Sequence, residues 1–198
     1  ANSRKLSPMF IFKRKTMPKE NFPSGIMIEV NPKGWMDNNM IGKWFDRCFA
    51  HRVGGFFLTK KSVLIMDSVR AHISVEAKVK IETKKTSLDI ILGGMTKLLQ
   101  PLDISINRCF IAELWKLWEH WMMAGEHSFT NTGCRWHDTY SQFAHWVKDA
   151  WNRVPESAIV NSFAKAEIVS RIEKPDEDDE GNWSFCTQQV SWKQLFLL

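Results

Sequence analysis

The sequence lacks the features that mark secreted and membrane proteins. No segment has the pattern of a signal peptide, and no apolar run approaches the length needed to cross a membrane. The four cysteines are scattered without a close pair, so their spacing predicts neither a disulfide framework nor a zinc knuckle. We therefore expect an intracellular, reducing location and no membrane partner.

What is present is the composition of a globular domain. The 198 residues suffice for one good core, and 44% hydrophobic with 25% charged residues is ordinary for a folded protein. The segment around residues 173–181 is acidic and contains proline, which is typical of a disordered linker. We predict a domain over residues 1–170, an acidic linker over 171–182 and an apolar tail of unknown role over 183–198.

Two aspartates occupy positions that could meet in space. Residues 62–66 are short, branched and apolar, typical of a strand buried on both faces, so Asp67 would lie at its C-terminal tip. Active sites of open α/β sheets gather at such tips. Asp103 follows Pro101 and opens a long amphipathic run over residues 104–123, which places it in or beside the first turn of a helix.

The pattern alone leaves two interpretations of these acids open. Paired carboxylates commonly hold a divalent metal through hard oxygen ligands for phosphoryl transfer. An acid after a hydrophobic strand is nevertheless frequent, and an acid at a helix start is the ordinary capping residue. Spacing does not decide between a metal site and these structural roles.

The rest of the chain alternates predicted strands and helices. The helix after residue 74 should bury Val75, Val79 and Ile81, and Trp115, Trp118 and Trp121 should form a stripe that packs on the sheet. The predicted order of strand, helix and strand, with short connections, is that of a crossover unit. It predicts that residues 62–67 and 88–92 pair in parallel. Strands are predicted at 9–13, 26–30, 62–67 and 88–92, and helices after Asp37 and Ser74 and over 104–123, 141–154 and 155–165.

The sequence around both aspartates resembles that of a known protein family. The segments Ile65-Met-Asp-Ser-Val-Arg-Ala-His72 and Gly93-Gly-Met-Thr-Lys-Leu-Leu-Gln-Pro-Leu-Asp-Ile-Ser-Ile-Asn107 are similar to the DDE superfamily endonuclease domain of pogo and Tigger-type transposases, within the Tc1/mariner group. Leu6-Ser-Pro-Met-Phe-Ile-Phe-Lys-Arg-Lys15 and Lys33-Gly-Trp-Met-Asp37 extend the likeness, which covers roughly residues 4–170.

This resemblance implies a fold and a catalytic site. The fold is an α/β, RNase H-like (DDE transposase/integrase) mixed sheet with flanking helices and a helical C-terminal cap, in which residues 9–13 form an edge strand. Asp67 matches the second of three catalytic, metal-holding acids and Asp103 the third, with Mg²⁺ or Mn²⁺ as the metal. The first acid has no counterpart, so the chain is expected to be N-terminally truncated, with its first strands missing.

Other residues near the acids keep two interpretations. His72 and Asn107 are accessory candidates for the active site, or a strand-end histidine and a polar helix-surface residue. Lys13, Arg14 and Lys15 are candidates for DNA contact, although a charge run is more often a solvated face.

The function expected from the resemblance is a nuclear, DNA-binding, endonuclease-like domain that is catalytically inactive because one acid is absent. Metal binding should then be weak or absent. One alternative is a fragment of an active metal-dependent transposase that cuts and joins DNA strands. Another is a non-enzymatic nuclear module that binds a protein, or a second copy, through an exposed sheet edge or the C-terminal tail.

Overall fold

The chain folds as a mixed α/β protein with two small sheets between helical layers. The structure, a computed structural model, describes residues 5–51, 62–69, 73–83, 86–125, 139–168 and 195–196. The predicted linker at 171–182 and most of the tail at 183–198 lie outside these ranges. The elements are β1 (Met9–Lys13), β2 (Met27–Asn31), α1 (Asn38–Arg47), a 3₁₀ turn (Phe49–His51), β3 (Ser62–Asp67), α2 (Val75–Glu82), β4 (Thr86–Ile91), α3 (Thr96–Leu99), a π-helical turn (Leu102–Ile106), α4 (Asn107–Met123), α5 (Tyr140–Arg153), α6 (Glu156–Lys165) and β5 (Leu195–Phe196).

The sheets pair the strands largely as the sequence predicts. β3 and β4 run parallel, from Ser62 opposite Thr86 to Asp67 opposite Ile91, which confirms the predicted parallel unit. β1 pairs in parallel with β2 and in antiparallel with β5, so the expected edge position of β1 is wrong. The reason is that β1 is apolar on both faces and buries residues 9–12, which suits an interior strand.

The core consists of two clusters on opposite sides of β1. Met9 and Ile11 belong to a cluster with α1 and α2, whereas Phe10 and Phe12 belong to one with α4 and α5. Alternate residues of a strand point to opposite faces, so β1 separates the two helical layers. The first cluster comprises Met9, Ile11, Met27, Met36, Met40, Ile41, Trp44, Phe45, Cys48, Phe49, Met66, Ala77 and Ile81. The second comprises Phe10, Phe12, Ile106, Phe110, Leu114, Trp146, Val147, Ala150, Trp151, Val154 and Ile159.

β2 begins one residue later than predicted and buries an acid. Glu29 is only 6% exposed, and its carboxylate lies 2.6 Å from Lys43 Nζ and 3.1 Å from Arg47 Nη1, both on α1. Two cations therefore offset the loss of hydration of the Glu29 carboxylate. This ion-pair group fixes α1 against β2, which the alternation of apolar residues alone could not predict.

The predicted cap of α2 is confirmed, and its predicted buried face is confirmed at Ile81 but wrong at Val75 and Val79. Ser74 Oγ accepts from the Ala77 amide at 3.2 Å, as an N-cap should. The residues of α2 that are buried are Ala77 and Ile81, whereas Val75 and Val79 are 73% and 52% exposed. The Lys80 ammonium on α2 lies 2.5 Å from the Asp46 carboxylate of α1, on the side of α2 that carries Ala77.

The tryptophans divide between core and surface. Trp44, Trp146 and Trp151 are buried, but the predicted stripe on α4 does not pack as one surface, since Trp118 is 38% exposed. A three-residue repeat rotates by roughly 60° at each step around a helix, so Trp115 and Trp121 face different directions. The buried residues of α4 are instead Phe110 and Leu114.

The expectation that β3 is buried on both faces is also wrong. Met66 is fully buried in the first cluster, but Val63 is 59% exposed. Within the part of the chain that the structure describes, β4 is the one strand paired with β3. The other edge of β3 is therefore left without a neighbouring strand there.

Lys5 caps the C-terminal end of α5. Its Nζ donates to the carbonyl oxygens of Trp151 at 2.7 Å, Asn152 at 2.8 Å and Val154 at 2.9 Å. A cation at this end also interacts favourably with the helix dipole. Partial burial lowers the pKa of Lys5, although the nearby Glu156 carboxylate opposes that effect.

We predict that Lys5→Met lowers the free energy of unfolding by about 1–3 kcal/mol, because three carbonyls lose their donor. Urea denaturation followed by tryptophan fluorescence measures the change. Lys19→Met removes an exposed lysine and serves as the matched control, with little expected effect. Equal effects of the two substitutions would show that the Lys5 contacts do not stabilise the fold.

Candidate functional site

The first candidate acid lies where the sequence places it, at the C-terminal tip of β3. Asp67 is half-buried, and its Oδ1 accepts a hydrogen bond from the Val69 amide at 3.2 Å. This bond turns the chain directly after the strand, as an aspartate followed by an amide two residues on often does. The carboxylate is thereby held at the end of β3.

A glycine turn packs beside this strand tip. β4 ends opposite Asp67 at Ile91, and the chain then turns through Gly93 and Gly94. Gly94 has a φ of +87°, a conformation that favours glycine. A Cβ on Gly93 would lie 3.7 Å from Ser68 Oγ, so the turn lies against the residue after Asp67.

The second candidate acid lies in a π-helical turn that precedes α4. Asp103 is exposed, and its amide donates to the Gln100 carbonyl at 3.0 Å. Asn107 Nδ2 donates to Asp103 Oδ1 at 3.0 Å, so the two residues share a helix face as predicted. Single π turns occur frequently at functional sites because they re-aim side chains within a helix.

A buried hydroxyl pair fixes the inner side of this turn. Ser105 Oγ in the π turn is hydrogen-bonded to Ser162 Oγ on α6, and Ser162 Oγ also bonds the Ala158 carbonyl at 2.7 Å. Ser162 is fully buried and Ser105 is 8% exposed. Sequence reasoning missed Ser105, because a serine inside an amphipathic run gives no local sign of a partner 57 residues away.

The segments that carry the two acids line one cavity. Val63, Leu64 and Ile65 of β3 face it together with Gln100, Pro101 and Leu102, and it has a volume of about 240 Å³. Asp67 lies two residues beyond Ile65, and Asp103 follows Leu102 directly. The cavity thus lies between residues 63–65 of β3 and the segment before the π turn, and neither Asp67 nor Asp103 lines it.

The structure describes the residues predicted to contact DNA but not His72. Lys13 and Lys15 are exposed at the end of β1, and Arg14 lies over the Tyr140 ring with 4.7 Å between the guanidinium carbon and the ring centre. His72 lies outside the described residues. Within the described ranges, no cluster of three or more His, Cys, Asp or Glu side chains could hold a metal ion.

These motifs and this geometry agree with a family-level comparison. Residues 1–163 match the model of the DDE superfamily endonuclease family, and the chain belongs to that family. The predicted membership is thus confirmed. Endonucleases of this superfamily generally use divalent metals and act on DNA.

Two relatives are described as "Pogo transposable element with KRAB domain". The human protein is 30% identical over 89% of this chain and the mouse protein 30% identical over 90%. A human "Pogo transposable element with ZNF domain" is 27% identical over 57% of the chain. The chain spans 29% of the length of the first two and 8% of the third. No solved structure matches it.

Within the described ranges, no helix is both long enough and apolar enough to cross a membrane.

The hydroxyl pair gives a test of how the π turn is held. We predict that Ser105→Ala and Ser162→Ala each lower the free energy of unfolding, because each removes the buried hydrogen bond between Ser105 and Ser162. The double variant should lose less than the sum of the single losses, with a coupling of about 1 kcal/mol. Urea denaturation of the three variants measures this cycle, and strictly additive losses would show that the two hydroxyls do not interact.

Proposed function

We propose that this chain is an endonuclease-type domain that binds DNA but does not cut it on its own. The observation that supports the proposal is that the strand that ends in Asp67 and the segment that precedes Asp103 line one cavity. We propose that the two acids, which match two of the three that the family uses, lie in the same region. Family membership supports DNA as the partner.

The two acids are the proposed metal ligands. Carboxylate oxygens are the donors that Mg²⁺ and Mn²⁺ prefer, and the exposed Asp103 and the strand-tip Asp67 leave room for water in the remaining positions. The Asn107 amide holds one oxygen of Asp103 and orients the carboxylate. In a complete site, the bound metal would stabilise charge that develops on the phosphate. The donor set fits such a metal in chemical type, but two carboxylates alone bind it weakly.

The proposed lack of cleavage concerns these 198 residues by themselves. The family mechanism uses three acids, and these residues match two of them, Asp67 and Asp103, which we propose do not support cleavage without the other acid. We also propose the RNase H-like arrangement for the sheet, in which an additional strand carries that first acid. In such an arrangement Asp67 would be the second acid and Asp103 the third.

We predict that Mn²⁺ binds the chain weakly but saturably, and that an Asp67→Asn, Asp103→Asn double variant loses this binding. Isothermal titration calorimetry measures both. Asp149→Asn, which neutralises an exposed acid on α5, is the matched control and should bind as the parent does. Identical titrations of the parent and the double variant would refute a shared metal site.

The parent chain and the double variant also test the proposed lack of DNA cleavage. Supercoiled plasmid incubated with the parent chain and Mn²⁺ should remain uncut. Nicking that disappears in the double variant would instead favour an active metal-dependent nuclease.

The DNA-binding surface is proposed to lie at the end of β1. Lys13 and Lys15 project there as exposed cations, and contacts of this kind with phosphates are independent of sequence. Arg14 packs on Tyr140, so it also has a structural role. A domain that binds chromosomal DNA would act in the nucleus, which is the proposed location.

We predict that replacing Lys13 and Lys15 with alanine weakens binding to double-stranded DNA and lowers the slope of log affinity against log salt by about 2. Fluorescence anisotropy with a labelled duplex, repeated over a range of salt concentrations, measures the slope. Replacement of Lys116 and Lys165, exposed cations on α4 and α6, is the charge-matched control. An equal loss in both double variants would indicate a response to net charge, and not a binding surface.

A further inference from the structure

The strands β1 and β2 end side by side. They run parallel, and their register places Lys13, the last residue of β1, opposite Asn31, the last residue of β2. The carboxyl ends of parallel strands share one edge of a sheet, and open α/β sheets commonly bind their ligands at that edge. The segments that follow the two strands therefore leave the sheet next to each other.

Asn31 joins these two segments through hydrogen bonds. Its carbonyl oxygen accepts from the Arg14 amide at 3.1 Å and from the Gly34 amide at 2.9 Å. Its side-chain Oδ1 accepts from the Lys33 amide at 2.7 Å, which is a local turn that asparagine commonly forms. Asn31 is only 8% exposed, and Gly34 has a φ of +66°, which favours glycine. The backbone of Lys33 is thus fixed next to the end of β1.

Both segments carry exposed cations. Lys13 and Lys15 are exposed at the end of β1, and Lys33 is exposed on the turn after β2. Arg14 is half-buried between the two lysines of the first segment, with its guanidinium carbon 4.7 Å from the centre of the Tyr140 ring. The two strand ends therefore form one basic surface.

An acid beside this surface is already engaged. The carboxylate oxygens of Asp37 accept hydrogen bonds from Asn31 Nδ2 at 2.6 Å and from the Met40 amide in the first turn of α1 at 2.9 Å. The N-terminus of a helix carries partial positive charge, which offsets a carboxylate there. Asp37 therefore ties the turn to α1 without cancelling the charge of the three lysines.

We propose that Lys33 binds DNA phosphate together with Lys13 and Lys15, and that Asn31 is the residue that positions it. This inference rests on the proposed function, which has DNA as the partner and the end of β1 as its surface. Neighbouring strands lie about 4.8 Å apart and Lys33 is two residues beyond Asn31, so the Cα atoms of Lys13 and Lys33 are at most about 12 Å apart. Phosphates of one DNA strand follow each other at about 3.4 Å along the axis, so one duplex can contact both segments.

The fixed turn explains why this lysine should contribute to affinity. A side chain or loop that is ordered only on binding reduces the affinity by the cost of that ordering. The hydrogen bonds of Asn31 hold the Lys33 backbone before DNA arrives, so only the side chain of Lys33 loses freedom in the complex.

The salt dependence of binding tests Lys33. Fluorescence anisotropy with a labelled duplex, repeated over a range of salt concentrations, gives the slope of log affinity against log salt. Lys33→Ala should lower this slope by about 1, and the triple variant Lys13→Ala, Lys15→Ala, Lys33→Ala should lower it by about 3. The triple variant Lys13→Ala, Lys15→Ala, Lys165→Ala is the charge-matched control and should lower it by about 2, since Lys165 is an exposed cation on α6.

Equal slopes for the two triple variants would overturn the inference, because Lys33 would then contribute no more than a distant charge. If the Lys13→Ala, Lys15→Ala protein still lowers the slope by about 2, the proposed surface at the end of β1 stands and the role of Lys33 alone fails. A parent chain that does not bind the duplex would overturn the proposed function and this inference together.

Asn31→Ala tests the positioning role without a change in charge. It should weaken binding by about two- to tenfold, the cost of ordering one side chain, and Asn31→Ser should recover part of the loss because its hydroxyl can still accept from the Lys33 amide. In a Lys33→Ala background, Asn31→Ala should have no further effect on affinity. A melting curve of each variant confirms that it is folded at the temperature of the titration. Equal losses from Asn31→Ala with and without Lys33 would refute the positioning role, because a purely structural effect does not depend on Lys33.

Discussion

Burial of β1 on both faces is the constraint from which the rest of the structure follows. Met9 and Ile11 pack toward α1 and α2, and Phe10 and Phe12 pack toward α4 and α5. Each fully buried side chain of this size stabilises the fold by about 1.5–3 kcal/mol. Since both sides of one five-residue strand are used, the two helical layers must lie on opposite sides of the sheet.

Each candidate acid is carried next to a residue anchored in one of these clusters. Met66 is fully buried in the first cluster, and Asp67 follows it at the strand tip. The buried side chains of Ser105 and Ile106 anchor the π turn in the core, and Asp103 is exposed on the same turn. The core thus presents the two carboxylates at the surface while fixing the backbone beneath them.

A short segment links the cavity beside β3 to the second acid. Gln100 lines the cavity beside β3, and Asp103 follows only three residues later. Pro101 between them restricts the backbone, and the Asp103 amide bonds back to the Gln100 carbonyl at 3.0 Å. This segment therefore fixes the position of Asp103 relative to the cavity.

The sequence by itself determined the local features of this protein. Strand β3 with its terminal Asp67, the helix cap at Ser74, and the contact of Asn107 with Asp103 all depend on residues close in the chain. Periodicity and capping act over one or two helical turns, so these features can be predicted without knowledge of the fold. The family motifs were recognisable for the same reason, because they are contiguous.

Tertiary structure alone decided which faces are buried and how distant segments meet. The buried Glu29 carboxylate is paired with two cations of α1, and Ala77 faces the core in place of Val75, which is 73% exposed. The interior position of β1 depends on β5, which is more than 180 residues away in the sequence. These outcomes depend on partners that are distant along the chain, and the hydropathy of a single segment contains no information about which partners it will have.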